Sequence, residues 1–338
     1  MRNAADAPQR YLVTGAAGFI GAQVAAQLLA AGHTVVGVDN LNAAYDVRLK
    51  EWRLAQLRAH PGFTFHRLDI ADRATLHQLF AAAARPGAPP FAAVVNLAAR
   101  AGVRPSVADP APYFATNVTG TLHLLELCRA FGVPKFVLAS TSSLYGAHTP
   151  RPFREDAATD RPLSPYAASK KAAEVLCYTA HHLHGLDVTV LRYFTVYGPA
   201  ARPDMALFRF VQRISEARPI VLYGDGTQER DFTYIDDIAR GTVLALRPLG
   251  YEIINLGSDR PVRLLDAIRT IEALVGQPAR IEHRPRHPAD APATWADIGK
   301  AARLLGWRPT TPFAAGVAQL VAWYQQHRAW ARHISTDE

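Results

Sequence analysis

Tyr11-Leu12-Val13-Thr14-Gly15-Ala16-Ala17-Gly18-Phe19-Ile20-Gly21 reads as a short apolar strand that enters a glycine-punctuated turn and continues as a helix with apolar residues three and four apart. The glycines of this GxxGxxG loop have separate expected tasks. Gly15 permits the tight turn, Gly18 leaves no Cβ in the way of an approaching phosphate, and Gly21 lets the helix lie close on the strand. Phe19 and Ile20 begin the helix, whose N-terminus faces the anion. A strand, loop and helix of this kind open the parallel sheets that bind dinucleotides.

Further strand-like runs follow: TVVGVD, FTFHRLDI, AAVVNLAA, KFVLAS and DVTVLRYF. Helix-length segments such as 18–30 and 113–129 lie between them. This alternation predicts an α/β fold built on a doubly wound, parallel Rossmann sheet with helices on both faces. After about Phe194 the pattern turns irregular, with Pro-containing loops, the strand-like IVLYG, and the helical VRLLDAIRTIEAL and GVAQLVAWYQQH. A smaller C-terminal substrate-binding α/β lobe is expected there. The expected division is 1–193 for the dinucleotide-binding domain, with 234–258 returning to its sheet, and 194–233 plus 259–338 for the second lobe.

The chain has 338 residues, more than one small core usually organises. With 49% hydrophobic and 20% charged residues it has the balance of a soluble globular protein. MRNAADAPQR at the start lacks the apolar stretch of a secretory signal, and no run approaches the roughly 20 apolar residues of a spanning helix. A cytoplasmic protein with no membrane partner is expected. Cys128 and Cys177 both sit in apolar helical stretches, so neither a disulfide framework nor a cysteine metal site is expected. The net charge of +8 comes from arginines dispersed along the chain, without the blocks or motifs of a nucleic-acid binder. It suits a small anionic substrate and no nucleic acid.

The strand ends extend the cofactor reading. Asp39 closes the second strand, where a carboxylate would accept from the ribose hydroxyls and repel a 2′-phosphate. Asn40, Leu41 and Asn42 supply no arginine, so NAD is favoured over NADP. Asp69 and Ile70 are placed to touch adenine, and Leu97, Ala98 and Ala99 are small enough to let a dinucleotide pass.

Ser164-Pro165-Tyr166 reads as an N-cap followed by the first helical positions, which puts Tyr166 and Lys170 on one face four residues apart. A tyrosine needs its pKa lowered by about 3 units to act as a base at neutral pH, and Lys170 and the helix N-terminus are expected to push that way. Thr141, at the end of the fifth strand, could share the proton. His181, His182 and His184 are read as an exposed helix end, so no metal site is expected.

TGAAGFIG, the Asp39 strand end, LASTSSLYG and YAASK together resemble the extended short-chain dehydrogenases, over nearly the whole chain. Within them DNLNAAYDVRLK, AARAGVRPS, RYFTVYGPAARPDMALFRF and RDFTYIDDIARG are similar to the UDP-glucuronate 4-epimerases. The resemblance implies tightly bound, recycled NAD, a UDP-sugar substrate and a homodimer paired through helices. It implies that Tyr166 takes the C4 hydroxyl proton, that Thr141 assists, and that Lys170 holds the nicotinamide ribose. Arg202, Ser142, Ser143 and Thr195 are implied around the sugar and its carboxylate, Tyr223 near uracil, and Arg230 and Arg286 at the diphosphate. The chain departs from the pattern at Ala22, Asn96, Pro105 and Pro288-Ala289-Asp290. The acids that mark 4,6-dehydratases and UDP-glucuronate decarboxylases after the threonine are absent. A galactose-type 4-epimerase stays open as the first alternative, followed by a UDP-glucuronate decarboxylase and a relative that binds dinucleotide without catalysis.

Overall fold

The computed structural model describes residues 8–285 and 293–336. Its centre is a seven-stranded parallel sheet. The strands are β1 (Arg10–Thr14), β2 (Thr34–Asp39), β3 (Phe63–Arg67), β4 (Ala93–Asn96), β5 (Lys135–Thr141), β6 (Asp187–Tyr193) and the Tyr251–Leu256 segment. Across the sheet they run Tyr251–Leu256, β6, β5, β4, β1, β2, β3. The order reverses between β1 and β4, and in such sheets ligands bind beyond the carboxyl ends at that crevice.

Continuous apolar runs are what a strand covered on both faces requires. Residues 135–141 of β5 are all buried, and Leu12 and Val13 of β1 are completely so. α1 (Phe19–Ala30) turns Val24, Ala25, Leu28 and Leu29 inward, and α2 (Val47–Arg58) is started by Asp46, whose carboxylate accepts from the Arg48 N–H. Beyond β6, short strands pair in twos: Thr195–Tyr197 with Phe232–Tyr234, Glu229–Arg230 with Val262–Arg263, and Ile220–Tyr223 with Ile281–Arg284. The helices Ala206–Ser215, Leu264–Val275 and Phe313–Gln326 pack on one another there.

The structure departs from the sequence reading over 113–129. In place of one continuous helix it has Ala111–Phe114, a π-helical turn Ala115–Thr119, and Gly120–Ala130. The turn brings Asn117 to the Arg100 main chain, accepting from its N–H at 2.9 Å and donating to its carbonyl at 3.0 Å. Asn117 also donates to Ser169 Oγ at 2.9 Å. One polar side chain thus ties the loop after β4 to the helix carrying Tyr166 and Lys170, a role for which π-turns are often used.

Candidate active site

The glycine loop is built to exclude side chains. A Cβ on Gly15, which has φ +69°, would stand 2.7 Å from the Ala98 nitrogen, and one on Gly21 would stand 2.1 Å from the Gly15 carbonyl oxygen. The third glycine therefore serves the packing of helix on loop. No side chain caps α1 at Gly18 and its first turn carries no acid, so its leading N–H groups can receive an anion.

Asp39 braces this loop. One of its carboxylate oxygens accepts from the Ala17 N–H at 3.2 Å and the other from the Leu41 N–H at 2.8 Å, with Lys50 Nζ 3.8 Å away. Asn40 donates to Asp69 at 2.8 Å, Asn42 donates to Asn40 at 2.7 Å, and Lys50 donates to Asn42 at 3.2 Å. The polar residues expected at the ends of β2 and β3 are thus one linked group. Ile70 is buried against Gly120, and the Ala98 N–H donates to Thr14 Oγ1 at 3.1 Å beside Gly15.

The second group forms at the end of β5. The helix Pro165–His184 begins as its sequence dictates, with Ser164 Oγ accepting from the Ala167 N–H at 3.2 Å. Ser106, fully buried, accepts from the Tyr166 N–H at 3.1 Å and so fixes the first turn from a second loop. Tyr166 is partly buried with its ring edge toward Tyr113, and the Thr141 hydroxyl is near enough to lower the pKa of its phenol. Thr141 Oγ1 donates to Ser143 Oγ and accepts from the Ser143 N–H, both at 3.1 Å, while Ser142 adjoins it in the same short 3-10 turn.

The electrostatics differ from the expectation. Burial raises the Tyr166 phenol above its ordinary value, and the contributions that lower it come from the Thr141 hydrogen bond and the Arg202 charge rather than from Lys170. Lys170 shares the helix face but turns its buried ammonium into the sheet, donating to the Ala139 carbonyl at 3.0 Å, because a buried charge must find an acceptor. Burial lowers Lys170 to about 8, with Cys177 and Glu174 opposing the fall.

Arg202 reaches this point from the far side. It is paired with Asp204 in a two-bond contact, and Asp204 outweighs the lowering effect of burial so that the guanidinium stays firmly charged. Lys50, Arg53, Arg100 and Arg202 lie close enough for the three arginines to depress Lys50, whose own burial is the larger cause. Lys50, Arg53, Arg100 and Ser106 escape the sequence reading. Lys50 and Arg53 sit in a cation-rich helix where such side chains read as solvent-facing, and the links that give Arg53 and Ser106 their place reach across 147 and 60 residues of chain.

Tyr223 stands apart from Tyr166, at a cavity of about 360 Å³ that Arg209, Arg213, Val221, Glu282 and Arg284 also line. The Arg104 guanidinium lies over the Tyr223 ring at 3.8 Å. Thr195 lies in the short strand after β6, its N–H donating to the Asp231 carbonyl at 3.1 Å, and Arg230 donates to the Glu229 carbonyl at 2.9 Å. Among the described residues, Thr195 makes no direct hydrogen bond to Thr141, Tyr166 or Lys170. Arg286 lies outside the described residues.

A UDP-glucuronate 4-epimerase from Thermodesulfobacterium geofontis is 54% identical over 318 residues, which cover 94% of this chain and 96% of that protein. The structure of UDP-glucuronic acid 4-epimerase from Bacillus cereus in complex with UDP-glucuronic acid and NAD is similar with a TM-score of 0.86 at 38% identity, covering 94% of this chain and 99% of that one. UDP-glucose 4-epimerase from Thermotoga maritima, with UDP-glucose, also has a TM-score of 0.86, at 30% identity and the same coverage. Residues 11–257, the span from β1 to the last strand of the sheet, match the model of one family, and this chain belongs to it: the NAD dependent epimerase/dehydratase family.

Proposed function

We propose that this chain catalyses the NAD-dependent C4 epimerisation of UDP-glucuronate to UDP-galacturonate through a transient 4-keto sugar. The observation that carries the reading is a Tyr166 phenol that feels both the Thr141 hydroxyl and the Arg202 charge, in a sheet whose first strand opens into a glycine loop with no room for side chains. The likeness to a UDP-glucuronate 4-epimerase at 54% identity supports it.

The residues present fit NAD. Gly15, Gly18 and Gly21 leave a bare cradle at the start of α1, with Phe19 and Ile20 behind it. Asp39 would address the ribose, with Asn40 and Asn42 beside it. Asp69 and Ile70 would flank the adenine, and Leu97, Ala98 and Ala99 the path to the nicotinamide. When bound, the dinucleotide supplies a hydride acceptor and donor and a positive ring that favours phenolate. Lys170 would hold its ribose hydroxyls.

Tyr166 would take the C4 hydroxyl proton, with the Thr141 hydroxyl beside it, as the bound dinucleotide supplies the hydride acceptor for C4. The keto sugar turns about its diphosphate link and receives hydride on the opposite face, while Tyr166 returns the proton. Oxidation at C4 makes a β-keto acid prone to lose carbon dioxide. Arg202 would grip the carboxylate, aided by Thr141, Ser142, Ser143 and Thr195, and hold the C5–C6 bond near the ketone plane, where it overlaps poorly with the π system. Tyr223 and its cavity would take the uracil end, and Arg230 and Arg286 the diphosphate.

Asp204 already engages Arg202, which favours a second reading as a UDP-glucose/galactose 4-epimerase that needs no carboxylate partner. Mixing the purified enzyme with UDP-glucuronate or UDP-glucose and following the sugar protons by NMR decides between them. UDP-galacturonate supports the first reading. Epimerisation of UDP-glucose alone selects the second, and UDP-pentose or no reaction sinks both.

The proposal includes the two-part division of the chain, 1–193 with 234–258 against the remainder, and a cytoplasmic setting where NAD and nucleotide sugars are met. It also includes a homodimer. The side-by-side helices Gly120–Ala130 and Pro165–His184 expose Leu122, Val175, Tyr178 and Leu183, an apolar face suited to a second copy. A monomeric mass by light scattering at micromolar concentration would remove that part.

A further inference from the structure

Arg53, on α2, is 4% exposed. Its Nε and NH2 donate to the Ala200 carbonyl at 3.1 and 2.7 Å, and its NH1 donates to the Ala17 carbonyl at 3.0 Å and to Tyr45 Oη at 2.8 Å. The guanidinium also lies over the rings of Phe19 and Tyr45. Every acceptor is neutral, and no carboxylate pairs with Arg53 among the described residues. A cation buried for packing alone is readily replaced by an apolar side chain, so a fork with four hydrogen bonds that spans two separate loops points to use of its shape.

Both loops belong to the proposed site. Ala17 lies inside the glycine loop, between Gly15 and Gly18. Ala200 has φ +52°, a left-handed conformation that a non-glycine residue holds only against strain, and two residues later the chain presents Arg202. The two hydrogen bonds to the Ala200 carbonyl hold that backbone in place. We infer that Arg53 is a positioning residue that fixes the Ala200–Arg202 arm in register with the cofactor loop. The distance between the sugar's carboxylate anchor and the nicotinamide would then be set through it. This rests on the epimerase reading for its consequence in turnover, but not for its consequence in structure.

The test compares wild type with Arg53→Met, Arg53→Lys and the double variant Arg53→Met/Ala200→Gly. In folded Arg53→Met, amide hydrogen exchange is expected to rise about tenfold or more in both 15–21 and 198–205, segments remote from each other in sequence. Its KM for UDP-glucuronate should rise about tenfold or more, because the carboxylate anchor on Arg202 loses its fixed place and binding weakens by about 1.4 kcal/mol or more. Its kcat should change less, and the share of UDP-pentose in the product should grow. Arg53→Lys, able to reach one loop only, should fall between. Glycine adopts the left-handed backbone freely, so Ala200→Gly should restore part of the KM. Unchanged exchange at 198–205, or a folded Arg53→Met enzyme with wild-type KM and product split, overturns the inference. A wild type that leaves UDP-glucuronate untouched sinks the epimerase reading instead, and the exchange result alone then decides the role of Arg53.

Discussion

Glu174 and Arg192 face each other through two parallel hydrogen bonds of 3.0 and 2.9 Å, with both side chains 2% exposed. Ser140 Oγ donates to the same carboxylate at 2.6 Å, and Arg192 donates onward to Tyr145 Oη at 3.1 Å. Glu174 lies one turn beyond Lys170, Ser140 directly precedes Thr141, and Arg192 is on β6. The pair therefore locks the Tyr166 helix to two central strands behind the reacting groups. Removing one partner leaves a buried charge alone, so Glu174→Ala should lose about 3–5 kcal/mol of stability. Urea unfolding followed by circular dichroism measures it, and a loss below about 1 kcal/mol would show that the pair carries little.

Tyr166→Phe deletes one hydroxyl and keeps the ring that packs against Tyr113. With Tyr166 as the base, kcat should fall by about 10²- to 10⁴-fold while the fold and dinucleotide content remain. Product formation from UDP-glucuronate is the measurement, and turnover within a few-fold of wild type would remove Tyr166 from the mechanism.

Lys170 titrates at about 8 in the folded protein because burial penalises its charge. Unfolded, it holds its proton to about 10.4. Between those values the unfolded chain binds more protons, so this group makes stability rise with pH, and the cost of burying its charge is present in full below pH 8. At about 1.4 kcal/mol per pH unit the rise reaches at most about 3 kcal/mol. Thermal unfolding of wild type and Lys170→Met from pH 7 to 10 should show wild type gaining relative to the variant. Parallel curves would refute the burial cost.

Gly21→Ala introduces a Cβ at 2.1 Å from the Gly15 carbonyl oxygen, a main-chain atom that cannot swing aside. The loop or α1 must move, so the purified protein should retain at least about tenfold less dinucleotide and lose about 1–3 kcal/mol of stability. Absorbance at 260 against 280 nm and a thermal scan report both. Full cofactor content would mean that the third glycine is dispensable.

The central fold was legible because its signals are local. β1, the loop and α1 stand where their residues put them, Ser164 caps the helix it precedes, and β5 ends at Thr141. What escaped depends on contacts between distant segments. Asn117 meets Arg100 only because a π-turn interrupts an otherwise regular helical pattern. Arg53 finds its partner 147 residues away, and the tuning of Tyr166 falls to Thr141 and Arg202 because the Lys170 ammonium has an acceptor in β5. The spacing of Tyr166 and Lys170 shows a shared face, but not which way a long side chain will turn.

All seven strands run the same way, so the glycine loop, Thr141 and the start of the Tyr166 helix lie at one end of the sheet, whereas Arg202 follows on a later arm that leaves the sheet after β6. On the proposed reading, one anchor of the sugar carboxylate thus sits on a later stretch than Tyr166, while Thr141, Ser142 and Ser143 contact the sugar from the earlier one. Sugar preference could drift by substitutions on the Arg202 arm while Tyr166 and the glycine loop are left untouched, whereas exchanging everything after residue 194 would also replace the Tyr251–Leu256 strand that completes the sheet.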